Sequence, residues 1–256
     1  MRGLTDKSVV VCGGATGIGA ATAQRLAAEG ARVIVGDLNI AGASQTAERI
    51  GAAGGVAAAV AFDLADEASI GALIDRAVSE YGTVHGLFNV GADLSPETLG
   101  RDGDLLEMDP AVWRRTFEVD LLGFALACRA VIPVMLANGG GAIVNTSSLA
   151  SCVGEATRPA YAAAKAGINA LTRHVASRWG TEGIRCNGVS PGLVLSETAL
   201  ATMSDEFKSF GLAATHSTRL GRPADLAGTV AFLLSDDAEW INGQTWSIDG
   251  GATFHD

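Results

Sequence analysis

Seven short runs of β-branched and small apolar residues alternate with longer alanine-rich stretches of helical spacing, and this alternation restricts the fold more than any other feature of the chain. A strand, a helix of about a dozen residues or more and a second strand form a βαβ unit, whose strands lie parallel and need helices on both faces. The strands read as 8–12, 31–36, 56–62, 84–90, 142–146, 184–189 and 245–248. Helices read as 17–29, 40–50, 66–81, 110–137 and 159–179, with one more after Pro223. The expected class is α/β: a doubly wound parallel sheet of about seven strands. Residues 197–216 interrupt the alternation with a mixed polar and apolar helical pattern, which reads either as a lid over a site or as an ordinary surface helix.

The chain has 256 residues, 48% of them hydrophobic, and no linker, low-complexity stretch or fixed-period repeat divides it, so one domain over 1–256 is expected. A formal charge of −10 with no run of lysine or arginine repels phosphate backbones and anionic lipid, which argues against nucleic acid as a partner. The most apolar stretch, 121–137, contains Arg129 and Pro133 and falls short of roughly 18 clean apolar residues. It reads as a buried helix, with a subunit interface as one way to cover it, and no membrane contact is expected. The first fourteen residues lack the pattern of a secretory signal. Four cysteines without a C-x-x-C pair and four histidines without ligand spacing suggest neither a disulfide framework nor a metal site. Reduced cysteines serving as small hydrophobes in a cytoplasmic protein are expected.

Between the first strand and the first helix lies CGGATGIG, residues 12–19. There Gly13, Gly17 and Gly19 permit a tight turn, let backbone N–H groups approach a pyrophosphate, and allow the helix to pack closely on the strand. Asp37 closes the second strand eighteen residues beyond Gly19, near the distance at which a carboxylate accepts hydrogen bonds from an adenosine ribose. A carboxylate there repels a 2′-phosphate, and residues 14–16 hold no basic side chain, so NAD is favoured over NADP; the bland alternative is a solvated turn aspartate. Further on, YAAAK sets Tyr161 and Lys165 four positions apart, which on a helix brings their heads to one face within about 6 Å.

Taken together, Gly13-x-x-x-Gly17-x-Gly19, Asp63, Asn89-Val90-Gly91-Ala92, Ser148, Tyr161-x-x-x-Lys165 and Pro191-Gly192 make the sequence resemble the short-chain dehydrogenase/reductase family over nearly its whole length. The resemblance implies a single Rossmann-type domain that moves a hydride between NAD(H) and a small-molecule secondary alcohol or ketone. It implies Tyr161 as general acid/base, Lys165 lowering the phenol's pKa, and Ser148 holding the substrate oxygen. Ser148 rather than Ser147 is singled out because the family interval to the tyrosine is thirteen residues. For the cofactor it implies Gly13, Thr16, Gly17, Ile18, Gly19, Asp37, Leu38, Asp63, Leu64, Asn89, Val90, Gly91, Tyr161, Lys165, Pro191, Gly192, Val194 and Ser196. It further implies a homotetramer built on the helices around 112–136 and 160–180.

The sequence departs from the family at several points. Asp120 in VDLLG stands where the family carries an asparagine that maintains a helix distortion and a water chain to the lysine. An ionised aspartate accepts but cannot donate, so Asp120 either preserves the relay and raises the lysine's pKa, or loosens it and slows turnover. Val90 replaces an asparagine, Cys12 a threonine, and Ser196 a threonine whose hydroxyl it keeps. The acidic connection 93–109 reads either as a border of the substrate entrance that disfavours strongly anionic substrates or as a solvated surface loop. The competing functions are an NADP-linked 3-oxoacyl-type ketoreductase, a catalytically weakened nucleotide-binding protein, and a Rossmann-like methyltransferase, which has no need of the tyrosine and lysine.

Overall fold

Every residue of β1 (Ser8–Cys12) is buried, with Val10 and Cys12 entering one apolar layer and Val9 and Val11 the other. Such two-sided burial explains why parallel strands read as unbroken apolar runs. The structure is a computed structural model that describes residues 1–254, apart from the side chains of Thr198 and Thr202. Its strands are β1, β2 (Arg32–Asp37), β3 (Val56–Ala61), β4 (Gly86–Asn89), β5 (Gly141–Thr146), β6 (Ile184–Pro191) and β7 (Thr245–Ile248). They form one sheet in the order β3-β2-β1-β4-β5-β6-β7, every pair parallel.

One face is covered by α1 (Gly17–Ala28), α2 (Ile40–Ala52) and α9 (Pro223–Leu234), through Leu26, Ile50 and Val230 among others. The opposite face packs against α3 (Glu67–Tyr81), α5 (Gly123–Ala137) and α6 (Pro159–Trp179), through Leu73, Phe124 and Ile168. Strand order reverses between β1 and β4, and in open α/β sheets the crevice outside the carboxyl ends of the strands at such a point is where ligands bind.

The expected elements are present with three physical differences. β4 covers only Gly86–Asn89; at its carboxyl end the Val90 and Gly91 amides both donate to the Cys12 carbonyl, at 3.0 and 2.8 Å, and the ladder stops there. β6 runs on to Pro191, which pairs with Ile248 of β7. The expected continuous helix 110–137 is α4 (Pro110–Phe117), a π-turn at Glu118–Leu122, and then α5. By length and composition alone Pro110–Ala137 is apolar enough to cross a membrane, but half of its most apolar window is buried in the structure, where Phe124, Val131 and Met135 fill the core. Residues 197–216 hold two short helices, α7 (Glu197–Thr202) and α8 (Asp205–Ala213). Cys12, Cys128 and Cys186 are buried as expected of small hydrophobes; Cys152 is exposed, contrary to that expectation, because it follows a one-turn helix at the open end of β5.

Candidate active site

At the carboxyl end of β1 the chain turns sharply enough to exclude side chains. Gly13 has φ +106°, and a Cβ there would lie 2.5 Å from the Gly91 nitrogen; a Cβ on Gly19 would lie 1.9 Å from the Gly13 carbonyl oxygen. The turn therefore presses main chain against main chain and leaves a cradle that any larger residue would fill. Thr16 begins α1 without capping it through its side chain, whereas Asn39, Asp66 and Asp109 cap α2, α3 and α4. The first-turn N–H groups of α1 thus face outward at the positive end of a helix dipole, an arrangement suited to a pyrophosphate.

Asp37 ends β2 beside this turn. Its Oδ2 accepts from the Ala15 amide at 2.9 Å and its Oδ1 from the Asn39 amide at 2.8 Å, which fixes the carboxylate while leaving each oxygen a further lone pair. Asp37, Leu38, Asp63, Leu64, Gly13 and Gly91 line one cavity of about 210 Å³ at the β1/β4 crevice, with Arg115 and Val119 on its far wall. Ile18 packs on the core beside the turn, and the Ser196 Cβ lies 3.4 Å from where Gly17 would carry one, so the start of α7 reaches the glycine turn. Ser196 also caps α7 by accepting from the Ala199 amide. Val194, just past Pro191 and Gly192, bridges to Gly221 and holds this segment at the sheet's end. Asn89 behaves differently from its neighbours: it is wholly buried, and its side-chain amide donates to Asn145 at 2.9 Å inside the sheet. What it offers the crevice is main chain, in the turn where Val90 and Gly91 both donate to the Cys12 carbonyl. Val90 packs its side chain on the core in place of the hydrogen bond an asparagine would make. A larger cavity, about 240 Å³, lies at the amino ends of the strands around Lys7, His85 and Arg185, remote from all of these residues.

The polar cluster next to the crevice forms where α6 crosses the end of β5. Lys165 is 1% exposed; its Nζ donates to the Thr146 carbonyl at 3.5 Å and lies 5.4 Å from the Tyr161 ring centroid and 5.2 Å from that of Phe124. Tyr161 is half-buried, one turn earlier on the same helix face. Ser147 is buried, its hydroxyl donating to the Lys165 carbonyl, while Ser148 is half-exposed and accepts from the Ala150 amide, which leaves its own proton to donate. No hydrogen bond joins Ser148 to Tyr161 among the described residues.

Asp120 sits at the centre of the π-turn and is fully buried. Its Oδ1 accepts from the Asp93 amide at 2.9 Å, a bond an asparagine carbonyl would make equally well, so the helix distortion survives the change to aspartate. Its Oδ2 has no hydrogen-bond partner and lies 3.9 Å from Lys165 Nζ. Burial holds the Asp120 carboxyl above its ordinary value, and the attraction of Lys165 does not offset it. Three other residues belong to this neighbourhood that sequence reasoning did not single out. Phe124 floors the lysine, Arg115 walls the cavity, and Asp93 ties them to the loop by accepting from Ser95, Thr98 and Arg115. Burial would raise the Asp93 carboxyl, but the bonds from Ser95 and Arg115 outweigh it and hold it below its ordinary value. Only its place directly after the NVGA turn distinguishes Asp93 in the sequence.

Residues 13–253 match the family described as enoyl-(acyl carrier protein) reductase. The chain is 34% identical to a 7alpha-hydroxysteroid dehydrogenase of Bacteroides fragilis, over 100% of this chain and 97% of that protein. It is 41% identical to a cis-4-hydroxycyclohexanecarboxylate dehydrogenase of Sinomonas cyclohexanicum, over 97% of each. Among solved structures, a 7 alpha-hydroxysteroid dehydrogenase complexed with NADH and 7-oxo glycochenodeoxycholic acid superposes with a TM-score of 0.91 at 33% identity, covering 98% of this chain and 95% of that one.

Proposed function

The chain belongs to the short-chain dehydrogenase/reductase family, and from that premise we propose that it is an NAD-dependent dehydrogenase of alicyclic secondary alcohols, with Tyr161 as the general acid/base. The observation that carries the reading is the buried Lys165 ammonium beneath the half-exposed Tyr161 ring, at the same end of the sheet as the glycine turn. A phenol has a pKa near 10 and is a poor base at neutral pH; each unit by which a neighbouring cation lowers it corresponds to about 1.4 kcal/mol of phenolate stabilisation. Lys165 is near enough to supply such stabilisation and is shielded from water, which strengthens it. In oxidation Tyr161 takes the hydroxyl proton of the alcohol, and in reduction it returns one to the ketone oxygen. Ser148 orients that oxygen with its free proton. The bound nicotinamide supplies the hydride acceptor or donor and, oxidised, a second positive charge. Gly13, Gly17, Gly19 and the first turn of α1 would hold its pyrophosphate, Asp37 its adenosine ribose, and Lys165 its other ribose.

Support for NAD over NADP comes from the fixed Asp37 carboxylate at the cavity wall. Support for a ring substrate comes from two sides. The relatives' names specify a hydroxyl on a steroid and on a cyclohexane. In addition, the segments that follow β4 and β6 carry exposed Leu94, Leu105, Leu106, Leu200, Phe207 and Phe210, more apolar surface than a small acyclic alcohol would need. Arg101, Lys208 and Arg219 in these segments are each paired with a carboxylate. We read the assembly as a homotetramer, which light scattering after size exclusion would check.

The deciding experiment follows NADH absorbance over a panel of cyclohexanols, hydroxysteroids and acyclic secondary alcohols, with NADP in parallel and Tyr161→Phe as control. Ring alcohols with NAD are expected to turn over, and Tyr161→Phe to lose about 10²- to 10⁴-fold in kcat while still binding NAD. Full activity in Tyr161→Phe would overturn the reading.

A further inference from the structure

Helix α6, which carries both Tyr161 and Lys165, has no cap of its own. Its N-cap residue, Arg158, has a left-handed backbone at φ +66° and offers no side-chain acceptor. Pro159 follows at the first helical position and has no N–H to satisfy, but the amides of Ala160 and Tyr161 do. Their partner comes from 59 residues earlier, in the loop after β4. Asp102 Oδ1 accepts from the Ala160 amide at 3.2 Å and Oδ2 from the Tyr161 amide at 2.9 Å, while the Asp102 carbonyl accepts from the Arg158 amide at 2.8 Å. Asp102 is 5% exposed, so water competes little for these bonds.

We infer that Asp102 is a positioning residue for Tyr161, fixing the backbone of the proposed acid/base from the loop after β4. The loop that bears it is anchored at both ends. At its start Asp93 binds the π-turn through Asp120 and accepts from Arg115; at its finish Asp109 caps α4 and pairs with Arg101 at 2.6 Å. One strap thus joins the turn beside Lys165 to the end of α6 that holds Tyr161. A carboxylate binding two successive amides through separate oxygens also fixes direction, so losing it would let the first turn of α6 shift, and a shift of order 1 Å at an acid/base can cost about 10²-fold. Arg158 leans over the Tyr161 ring at 5.9 Å and is itself tied to Glu155, so the same end of α6 is braced on its outer side.

This inference rests on the reading of Tyr161 as acid/base, and the test separates the two. Asp102→Ala, Asp102→Asn and, as a control on the same loop, Asp104→Ala would be compared with the parent by kcat, KM, NAD affinity, thermal melting and the solvent deuterium isotope effect on kcat. Asp102→Ala is expected to lower kcat by tenfold or more, leave NAD affinity within twofold, and raise the solvent isotope effect as proton transfer becomes slower. Asp102→Asn keeps one acceptor oxygen and should recover at least a third of the parent kcat; Asp104→Ala should match the parent. A purely structural role would lower the melting temperature without changing kcat or the isotope effect in the protein that remains folded, and that result overturns the inference. If Asp102→Ala does not fold, Asp102→Asn decides: a raised isotope effect supports positioning, an unchanged one removes it. Tyr161→Phe inactive beside a fully active Asp102→Ala removes this inference alone, whereas a fully active Tyr161→Phe removes the reading beneath it.

Discussion

Replacing Asp120 by asparagine changes one charge and almost no shape, and the structure gives opposing charges close enough for the outcome to be calculated. Asp120 Oδ2 lies 3.9 Å from Lys165 Nζ, which in turn is 5.4 Å from the Tyr161 ring centroid. The two legs put Asp120 Oδ2 no farther than about 9 Å from the ring, where an ionised carboxylate opposes the phenolate by about 2 kcal/mol at an effective dielectric of about 20. Asp120→Asn should therefore shift the acid limb of the kcat/KM profile for alcohol oxidation to lower pH by somewhat more than one unit. Stability has its own sign. Burial raises the Asp120 carboxyl above its ordinary value, so folding costs the ionised form more than the neutral one. Its favourable contribution is complete below the ordinary carboxylate pKa and is lost as pH rises through the raised one. A neutral asparagine keeps the acceptor for the Asp93 amide, so Asp120→Asn should melt higher at neutral pH, with the gain vanishing in acid. Spectrophotometric pH profiles and melting scans at several pH values measure both. An acid limb that stays in place or moves to higher pH would refute the electrostatic account, and a lower melting temperature at neutral pH would show that the Lys165 pair outweighs the cost of burial.

One further substitution and a thiol titration test other parts of the structure. Removing the carboxylate at Asp37, in Asp37→Ala, should raise the ratio of kcat/KM for NADP over NAD by about 10- to 100-fold, from the 1–3 kcal/mol of repulsion a 2′-phosphate would lose; an unchanged ratio would exclude Asp37 as the selecting group. In a native-state titration with an aromatic disulfide reagent only Cys152 should react promptly, because burial pushes the Cys128 thiol up to about 12 and raises Cys12 and Cys186 as well. All four thiols should react after denaturation, and two or more reacting promptly in the native protein would contradict the burial.

The sheet was legible because its strands are dry on both faces: SVVVC admits no other reading once a glycine turn and an alanine-rich helix follow it. Glycine placement was legible for the same local reason, since the crowding at Gly13 and Gly19 is decided within a few residues and one neighbouring strand. What escaped were features set by distant partners. A helix distortion at Asp120 was implied by the family resemblance, but its lock, the amide of Asp93, was not. The cap on α6 comes from Asp102, and nothing in RDGD distinguishes a carboxylate that turns inward from one that faces water. Cys152 looked like its three buried counterparts because composition records the residue and not its side of the surface.

The acidic loop illustrates how burial changes the meaning of charge. Read as a string, 93–109 suggests a negative field at a substrate entrance. In the fold, Asp93 accepts from Arg115, Asp102 from the amides of α6, and Asp109 from Arg101 and the first turn of α4, so these three carboxylates are each neutralised by a cation or a helix dipole. Glu97, Asp104 and Glu107 remain exposed, and beyond about 10 Å their field is screened at ordinary salt. Discrimination against anionic substrates should therefore be weak and fade as salt rises, and if Leu105 and Leu106 beside them, 64% and 96% exposed, meet the proposed ring substrate, the preference they add should be salt-independent.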